Sequence, residues 1–326
     1  FDLATDAKPD EVEAIAKQGG FKTVDVGKSF GVVIVNGHEI ATFRKDIGKG
    51  RRPDSVDYTD IQGDVKRRDL TINALFYDMG RGEIVDLVGG IKDLKKKKIR
   101  TVGDPSQRFD EDPLRKLRAV RFAGSVGGRM TKDTWDALKK NPDISGVSAE
   151  RIRDEFIKGI TKAKSPVSNY LKMISKLGMY KWIFPGLSIL EVALNTNDYK
   201  LQIAYMLHTN GSPTVKSALS RLKYKRQEVN DILFLIMISN PKKVIEHLPS
   251  FKNLQKNTKL STSQIKQWSK INNDKNIIKL WNWKLSVSAK DAMSQGFKGK
   301  DIGDYIRQKE AELFINGPKR SKGIGY

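Results

Sequence analysis

The fold of this 326-residue chain is decided by one stretch, Arg67-Arg68-Asp69-Leu70-Thr71-Ile72-Asn73-Ala74. A guanidinium fork fits a phosphate bidentately, and Asp69 and Asn73 can bond sugar hydroxyls or orient the arginines. The residues from Leu70 to Tyr77 are apolar and β-branched enough to predict a strand directly behind the charges. A surface ion pair at the start of a strand is the alternative, and this stretch by itself leaves both interpretations open.

A second charged segment lies further along the chain. It reads Val102-Gly103-Asp104-Pro105, Arg108-Phe109 and Glu111-Asp112-Pro113-Leu114-Arg115. A helix beginning near Asp112 would place Asp112 and Arg115 on one face. The carboxylate only accepts hydrogen bonds and the guanidinium only donates them, so the pair suits an exocyclic amine beside a ring acceptor. Cytosine and adenine offer that edge, whereas uracil and guanine would set a carbonyl oxygen against the carboxylate.

Arg118 and Arg121 extend this segment by further steps of three residues. They form a basic stripe on the predicted helix, and we expect them to hold a triphosphate or a base. The apolar stripe beside them consists of Leu114, Leu117, Val120 and Ala123. An ordinary amphipathic helix with a charged outer face is the alternative for a lone Arg-x-x-Arg pair.

Together with the opening Phe1-Asp2-Leu3-Ala4-Thr5, these segments resemble one known family. It is the class II tRNA nucleotidyltransferase and bacterial poly(A) polymerase family, within the polymerase-β-like superfamily. The likeness is dense up to about residue 160 and thinner beyond. It implies an α+β protein, with a polymerase-β-like α/β head followed by an all-helical neck, body and tail. It also implies that Arg67 to Asn73 recognise ribose and phosphates, and that Asp112 and Arg115 select the base.

The resemblance further implies a two-metal Mg²⁺ site. Nucleotidyl transfer places negative charge on bridging and leaving oxygens, and two Mg²⁺ ions about 3.5–4 Å apart relieve it. Asp2 matches the second carboxylate of the family's Asp-x-Asp strand, and the first, with its glycine-rich turn, is expected upstream of Phe1. Glu39 lines up with a third acidic position. Without the resemblance, Glu39 is an ordinary exposed strand carboxylate.

The glycine-containing loop from Arg44 to Pro53 resembles a shortened form of the family's flexible loop. Gly48 and Gly50 would permit it to move, and in the family this loop helps the switch from CTP to ATP. Its compactness leaves terminal-A addition open.

Hydrophobic patterning divides the chain into an α/β part and a helical part. Asp10 to Lys17 predicts a helix, and Val32 to Phe43 predicts a hairpin around Asn36-Gly37. Beyond about residue 110 the pattern is helical, including a helix after the N-cap Ser148. Further helices are predicted over Asn169–Leu177, Leu201–His208 and Gln227–Ser239. We therefore expect a head (1–100), a neck with nucleotide-selecting helices (101–165), a body (166–250) and a tRNA-binding tail (251–326).

Charge points to a polyanionic partner. The formal net charge is +22, and the stretch from Ser212 to Lys279 holds 14 Lys and Arg against four Asp and Glu. We expect this stretch to contact phosphates, with a solvated helical surface over core tryptophans as the alternative. The absence of cysteine excludes disulfide scaffolds and thiol catalysis. The longest apolar run, Ile232 to Ile238, is far short of the roughly 20 residues of a membrane span, so no membrane partner and a cytoplasmic setting are expected.

The sequence thus predicts template-independent addition of C and A to the 3′ end of tRNA from CTP and ATP, with release of pyrophosphate. Two alternatives within the family are a poly(A) polymerase and an enzyme that adds only C residues. An alternative of another class is a non-catalytic RNA-binding protein with a degenerate metal site.

Overall fold

A computed structural model describes residues 2–25, 27–47, 55–163 and 167–317 of the chain. Two compact units are distinguished, residues 1–183 and 184–326. All strands of the described residues belong to the first unit. They are Leu3–Thr5 (β1), Thr23–Val24 (β2), Val32–Val35 (β3), His38–Thr42 (β4), Arg44–Ile47 (β5), Ser55–Tyr58 (β6), Leu75–Asp78 (β7), Glu83–Asp86 (β8), Lys98–Ile99 (β9) and Arg129–Met130 (β10).

A four-stranded sheet forms the start of the first unit. Its order is β1-β4-β3-β2, with β1 parallel to β4 and the other neighbours antiparallel. The predicted hairpin is confirmed, because Asn36 and Gly37 turn between β3 and β4 with φ of 48° and 83°. Positive φ at both central residues is what a tight primed turn requires. The remaining strands form the pairs β5–β6, β7–β8 and β9–β10.

The strand predicted to start at Leu70 is wrong in its first half. Thr71–Asn73 form a single 3₁₀ turn, and β7 begins only at Leu75. The Thr71 N–H donates to the Arg100 carbonyl at 2.9 Å, while the Asn73 N–H turns back to the Leu70 carbonyl at 2.9 Å. Leu70 thus pairs with Thr101 in a single isolated bridge, and the chain turns directly after it instead of extending.

Eight helices complete the described part of the first unit. They are Pro9–Gln18 (α1), Ile61–Arg67 (α2), Gly90–Lys95 (α3), Pro105–Glu111 (α4), Leu114–Val126 (α5), Lys132–Lys140 (α6), Ala149–Thr161 (α7) and Val167–Lys176 (α8), with the single turn Tyr180–Ile183 (α9) after them. The helices predicted near Asp10, after Ser148 and near Asn169 are thereby confirmed. The apolar stripe of α5 is buried as predicted, and it packs against α7 and α8.

The helix predicted to begin near Asp112 is wrong in its first turn. α4 ends at Glu111 and α5 begins at Leu114, with Asp112 extended between them at φ −142° and ψ 102°. The cause is Pro113, because the ring of a proline disfavours helical geometry in the residue before it. The Asp112 side chain then accepts a hydrogen bond from the Leu114 N–H at 3.1 Å, which closes the gap between the two helices.

The second unit is all-helical over its described residues. Its helices are Tyr199–Leu207 (α10), Ser212–Arg221 (α11), Arg226–Ile238 (α12), Pro241–Ile245 (α13), Leu248–Lys256 (α14), Thr262–Ile271 (α15), Asn276–Asn282 (α16), Ala289–Ser294 (α17) and Lys300–Asn316 (α18). Trp268 is fully buried and donates from its indole nitrogen to the Leu235 carbonyl at 2.9 Å, so it belongs to the core. None of the helices in the described residues is both long and apolar enough to cross a membrane.

Candidate nucleotide-binding site

The parallel pairing of β1 with β4 brings the two predicted metal ligands together. Leu3 lies opposite Ile40, and continuing this register by one residue sets Asp2 beside Glu39. Paired residues on neighbouring strands project from the same face, about 4.8 Å apart along the sheet. Both side chains are exposed. Two carboxylates so placed supply hard oxygen ligands, the type that Mg²⁺ prefers.

Among the described residues, no third carboxylate lies beside Asp2 and Glu39. No group of three or more His, Asp or Glu side chains in this part of the chain is close enough to hold a metal. Asp2 and Glu39 therefore fit part of the ligand set of a two-metal site. The loop predicted from Arg44 to Pro53 is wrong in its first part, because Arg44–Ile47 form the strand β5 paired with β6; Gly48 and Gly50 lie outside the described residues, as does Phe1.

Asp64 binds the two neighbouring arginines Arg67 and Arg68. It is buried on α2, three and four residues before Arg67 and Arg68. Its Oδ1 accepts from Arg67 Nε at 2.7 Å, and its Oδ2 accepts from Arg68 Nη2 at 3.0 Å. Arg68 also lies over the Phe76 ring, 4.8 Å from the centroid. The two guanidinium groups are thus held side by side, each partly exposed to solvent.

The backbone behind these arginines is held by the second charged segment. Arg115 donates from Nη2 to the Arg67 carbonyl at 2.9 Å, and Arg108 donates from Nη2 to the Arg68 carbonyl at 3.0 Å. The next carbonyl, that of Asp69, accepts from the Val102 N–H at 3.1 Å. Segments separated by more than 30 residues in sequence are therefore joined into one site, as the pattern predicted.

Asp69 is buried and fully engaged. Its Oδ2 accepts from Arg118 Nε at 2.6 Å, and its Oδ1 accepts from the Leu70 N–H at 2.8 Å and from Asn73 Nδ2 at 3.2 Å. Burial opposes ionisation of this carboxyl, but the Arg118 charge and the three hydrogen bonds outweigh it and hold the pKa of Asp69 below its usual value. The carboxylate therefore stays ionised and fixes both Arg118 and Asn73.

Asp112 and Arg115 are not neighbours on one helix face, because Asp112 precedes α5. They remain close, since the Arg115 N–H donates to the Asp112 carbonyl at 3.0 Å. The Asp112 carboxylate accepts from Arg151 Nη2 at 3.0 Å, and the Arg115 guanidinium donates to Glu111 at 2.8 Å. Each of the two side chains keeps about an eighth of its surface open, 13% and 14%.

Arg121 is buried, unlike the partly exposed Arg67 and Arg68. Its Nε donates to the Glu155 carboxylate at 2.5 Å, and both side chains are buried between α5 and α7. Arg121 also lies over the Phe122 ring at 4.0 Å. The predicted contact of Arg121 with a nucleotide stays a prediction. In the structure this arginine is paired with Glu155.

Three further residues, which the sequence pattern did not single out, hold the predicted site residues: Asp64, Arg151 and Glu155. Asp64 could have been found, because its spacing to Arg67 and Arg68 is that of ion pairs along a helix. Arg151 and Glu155 could not, since they reach Asp112 and Arg121 only after α7 packs on α5.

Comparison with known proteins agrees with this geometry. Residues 1–100 match the Poly A polymerase head domain family, and residues 129–190 match the family described as the probable RNA and SrmB-binding site of polymerase A. The CCA-adding enzyme of Bacillus licheniformis is 41% identical over 195 residues, which are 57% of this chain and 47% of that enzyme. The CCA-adding enzyme of Bacillus subtilis is 45% identical over 165 residues, 48% of this chain and 40% of that enzyme. The chain thus spans about half the length of these relatives.

Solved structures share the fold at lower identity. The Bacillus stearothermophilus CCA-adding enzyme in complex with CTP has a TM-score of 0.65 at 24% identity and covers 98% of this chain and 85% of its own. The Thermotoga maritima CCA-adding enzyme complexed with tRNA has a TM-score of 0.64 at 20% identity, with 98% and 83% covered. By its motifs, its matched segments and its fold, the chain is similar to the tRNA nucleotidyltransferase and poly(A) polymerase family.

Proposed function

We propose that the protein adds C and A nucleotides to the 3′ end of tRNA without a nucleic-acid template, in the cytoplasm, using CTP and ATP and releasing pyrophosphate. The observation that carries the proposal is the contact of Arg115 with the Arg67 carbonyl at 2.9 Å. It joins the residues suited to phosphate with the residues suited to a base edge. These joined residues can therefore bind both the phosphates and the base of one nucleoside triphosphate.

Arg67 and Arg68 bind the triphosphate in this mechanism. Asp64 holds both guanidinium groups before the nucleotide arrives, so little side-chain freedom is lost on binding. Asn73, oriented by Asp69, is left to bond a ribose hydroxyl. These groups position the α-phosphate for attack by the RNA 3′-hydroxyl.

Asp112 and Arg115 select the base. Arg151 orients the Asp112 carboxylate as an acceptor, and Glu111 orients the Arg115 guanidinium as a donor. Cytosine and adenine match the resulting acceptor and donor pattern, and uracil and guanine oppose it. Discrimination rests on the fixed orientation of the two groups, because a carbonyl oxygen of uracil or guanine would face the Asp112 carboxylate.

Asp2 and Glu39 would hold Mg²⁺ at the edge of the four-stranded sheet. When bound, Mg²⁺ neutralises the charge that develops on the phosphate oxygens and the leaving pyrophosphate. The two side chains project from neighbouring strands, so the sheet itself sets their separation.

The tRNA would lie on the second unit. Of the 14 Lys and Arg residues between Ser212 and Lys279, all but the half-buried Lys252 are exposed. A-form RNA is recognised mainly by its shape and phosphates, and exposed cations on short helices suit that contact.

The test uses the full-length protein with a tRNA transcript that lacks CCA, given CTP, ATP or both, and resolves the products at single-nucleotide length. We expect CC from CTP alone and CCA from both nucleotides. Long A tails from ATP alone would make the protein a poly(A) polymerase, and arrest at CC with both nucleotides would make it a C-adding enzyme. Asp2→Asn is the control for metal-dependent chemistry; an RNA-binding protein would bind the transcript equally well in both forms and extend it in neither.

A further inference from the structure

The Arg67–Asp69 stretch rests on a buried carboxylate that no motif of the site includes. Thr71, which is 1% exposed, donates from its hydroxyl to Asp93 Oδ2 at 2.9 Å. The same oxygen accepts from Arg100 Nε at 2.9 Å. Asp93 is 5% exposed and lies on α3, so one carboxylate oxygen joins that helix to two separate segments.

The position of α3 against Thr71 is set by Gly90. A Cβ at Gly90 would lie 2.2 Å from the Thr71 carbonyl oxygen, a separation that no larger residue permits. Asp86 holds the same turn, because its carboxylate accepts from the Gly90 N–H at 2.8 Å and from the Ile91 N–H at 2.9 Å. The start of α3 is therefore a fixed support that touches the Thr71 backbone directly.

Thr71 in turn is tied to the nucleotide-binding stretch. Its N–H donates to the Arg100 carbonyl at 2.9 Å, and Asp69, two residues earlier, accepts from the Val102 N–H at 3.1 Å. Leu70 and Thr101 form an isolated antiparallel bridge between these two contacts. A shift of Thr71 therefore moves Asp69, and with it the partners of the Asp69 carboxylate.

We propose that Asp93 is a positioning residue for nucleotide binding: through Thr71 and Arg100 it holds Arg67–Asp69 in the geometry that receives the triphosphate. The inference rests on the proposed function, since it assigns a support to that same site. Asp93 acts without touching substrate. Removing a carboxylate from water costs free energy. We therefore expect the buried Asp93 to fix one arrangement of its neighbours and not merely to add stability.

Two matched threonines separate positioning from stability. Thr42 is also 1% exposed, and its hydroxyl donates one hydrogen bond, at 2.8 Å to the Ala7 carbonyl. Thr71→Val and Thr42→Val each remove one buried hydroxyl, so both should lower the melting temperature, Thr71→Val by more because its hydroxyl bonds a carboxylate. Only Thr71→Val should raise the KM for CTP and ATP, by about tenfold, with kcat within about twofold. Equal KM values in the two variants would overturn the proposal.

Asp93→Asn completes the test. The amide oxygen can still accept from Thr71 but lacks the charge that faces Arg100, so the variant should raise KM less than Thr71→Val. The double variant Asp93→Asn with Thr71→Val should show an effect smaller than the product of the two single effects, because both changes act on one contact. Multiplicative effects would show that Asp93 acts elsewhere.

Hydrogen exchange separates failure of this inference from failure of the proposed function. Thr71→Val should speed exchange of the amides of residues 67–73, and Thr42→Val should not. This readout needs no turnover. If the wild-type protein extends no RNA while the exchange difference is present, the proposed function is wrong and the positioning role of Asp93 stands. If the RNA is extended and no exchange difference exists, the proposed function stands and the positioning role is wrong.

Discussion

Arg118 places its Nε 2.6 Å from Oδ2 of Asp69, across 49 residues of sequence. The contact joins the stretch suited to phosphate with the helix that carries Arg115, and it neutralises a carboxylate that is only 9% exposed. We therefore expect it to affect two measurable properties, the affinity for nucleotide and the response of stability to acid.

Asp69→Asn should weaken binding of CTP and ATP by about 10- to 100-fold, because the Arg118 guanidinium loses its anchor and Asn73 loses a charged acceptor. Isothermal titration with a non-hydrolysable nucleotide measures the change. Lys132→Gln, which removes an exposed ion pair with Asp136, is the control and should leave affinity within about twofold. Unchanged affinity in Asp69→Asn would remove Asp69 from the site.

Asp69 should contribute to the loss of folding free energy at low pH. Its folded-state pKa is below the ordinary value of 3.8, so the native state releases the proton more readily than the unfolded chain. The stabilisation is complete above about pH 4 and is lost as pH falls through the folded-state pKa. Urea unfolding between pH 2.5 and 6 should show a shallower decline in Asp69→Asn than in the wild type; parallel curves would contradict this.

Asp64→Asn should disable the arginine pair. The amide can accept from one guanidinium but cannot balance two, and losing a hydrogen bond to a charged group costs about 1.5–3 kcal/mol. We expect nucleotide incorporation to fall more than tenfold and the midpoint of urea unfolding to drop. Asp60→Asn is the matched control on the same helix, because Asn caps a helix as well as Asp and the cap accepts from the Gly63 N–H at 2.8 Å.

Gly159→Ala should destabilise the first unit by about 1–3 kcal/mol, because its Cβ would lie 2.2 Å from Cζ of the buried Tyr170 ring. Gly303→Ala, also inside a helix, meets nothing within 4 Å and should stabilise by about 0.5–1 kcal/mol through helix propensity. Thermal unfolding of the two variants measures both signs. A neutral Gly159→Ala would mean that Tyr170 can move aside.

Lys266 and Lys270 are exposed on successive turns of α15. Replacing both with Gln should weaken tRNA binding and reduce the slope of log K against log salt by about 1–2, since each lost phosphate contact releases one fewer counterion. Lys95 and Lys96, exposed at the end of α3 and outside the segment that matches the RNA-binding family, provide the control pair. Equal slopes in the two double variants would exclude α15 from the RNA contact.

Local patterns in the sequence were sufficient for several of the elements. The Asn36-Gly37 turn, the apolar stripe of α5 and the helix after Ser148 follow from turn chemistry and helical spacing, which act over a few residues. Two of the errors have different causes. Pro113 breaks the helix expected at Asp112, a rule that was readable from sequence, whereas the pairing before the Thr71 turn stops at one bridge to Thr101, a partner that only the folded chain supplies.

The sequence by itself determined the chemistry available to this protein: arginines for phosphate, an acceptor and a donor for a base edge, two strand carboxylates for a cation, and a basic helical surface for RNA. Only the tertiary structure decided which charges face outward. Arg118 and Arg121 share a helix stripe with Arg115, yet Asp69 and Glu155 engage them from other elements. The physical reason is range: side-chain type and helical periodicity are local properties, whereas the partner of a buried charge is chosen by whichever distant carboxylate the packing of the core brings within 3 Å.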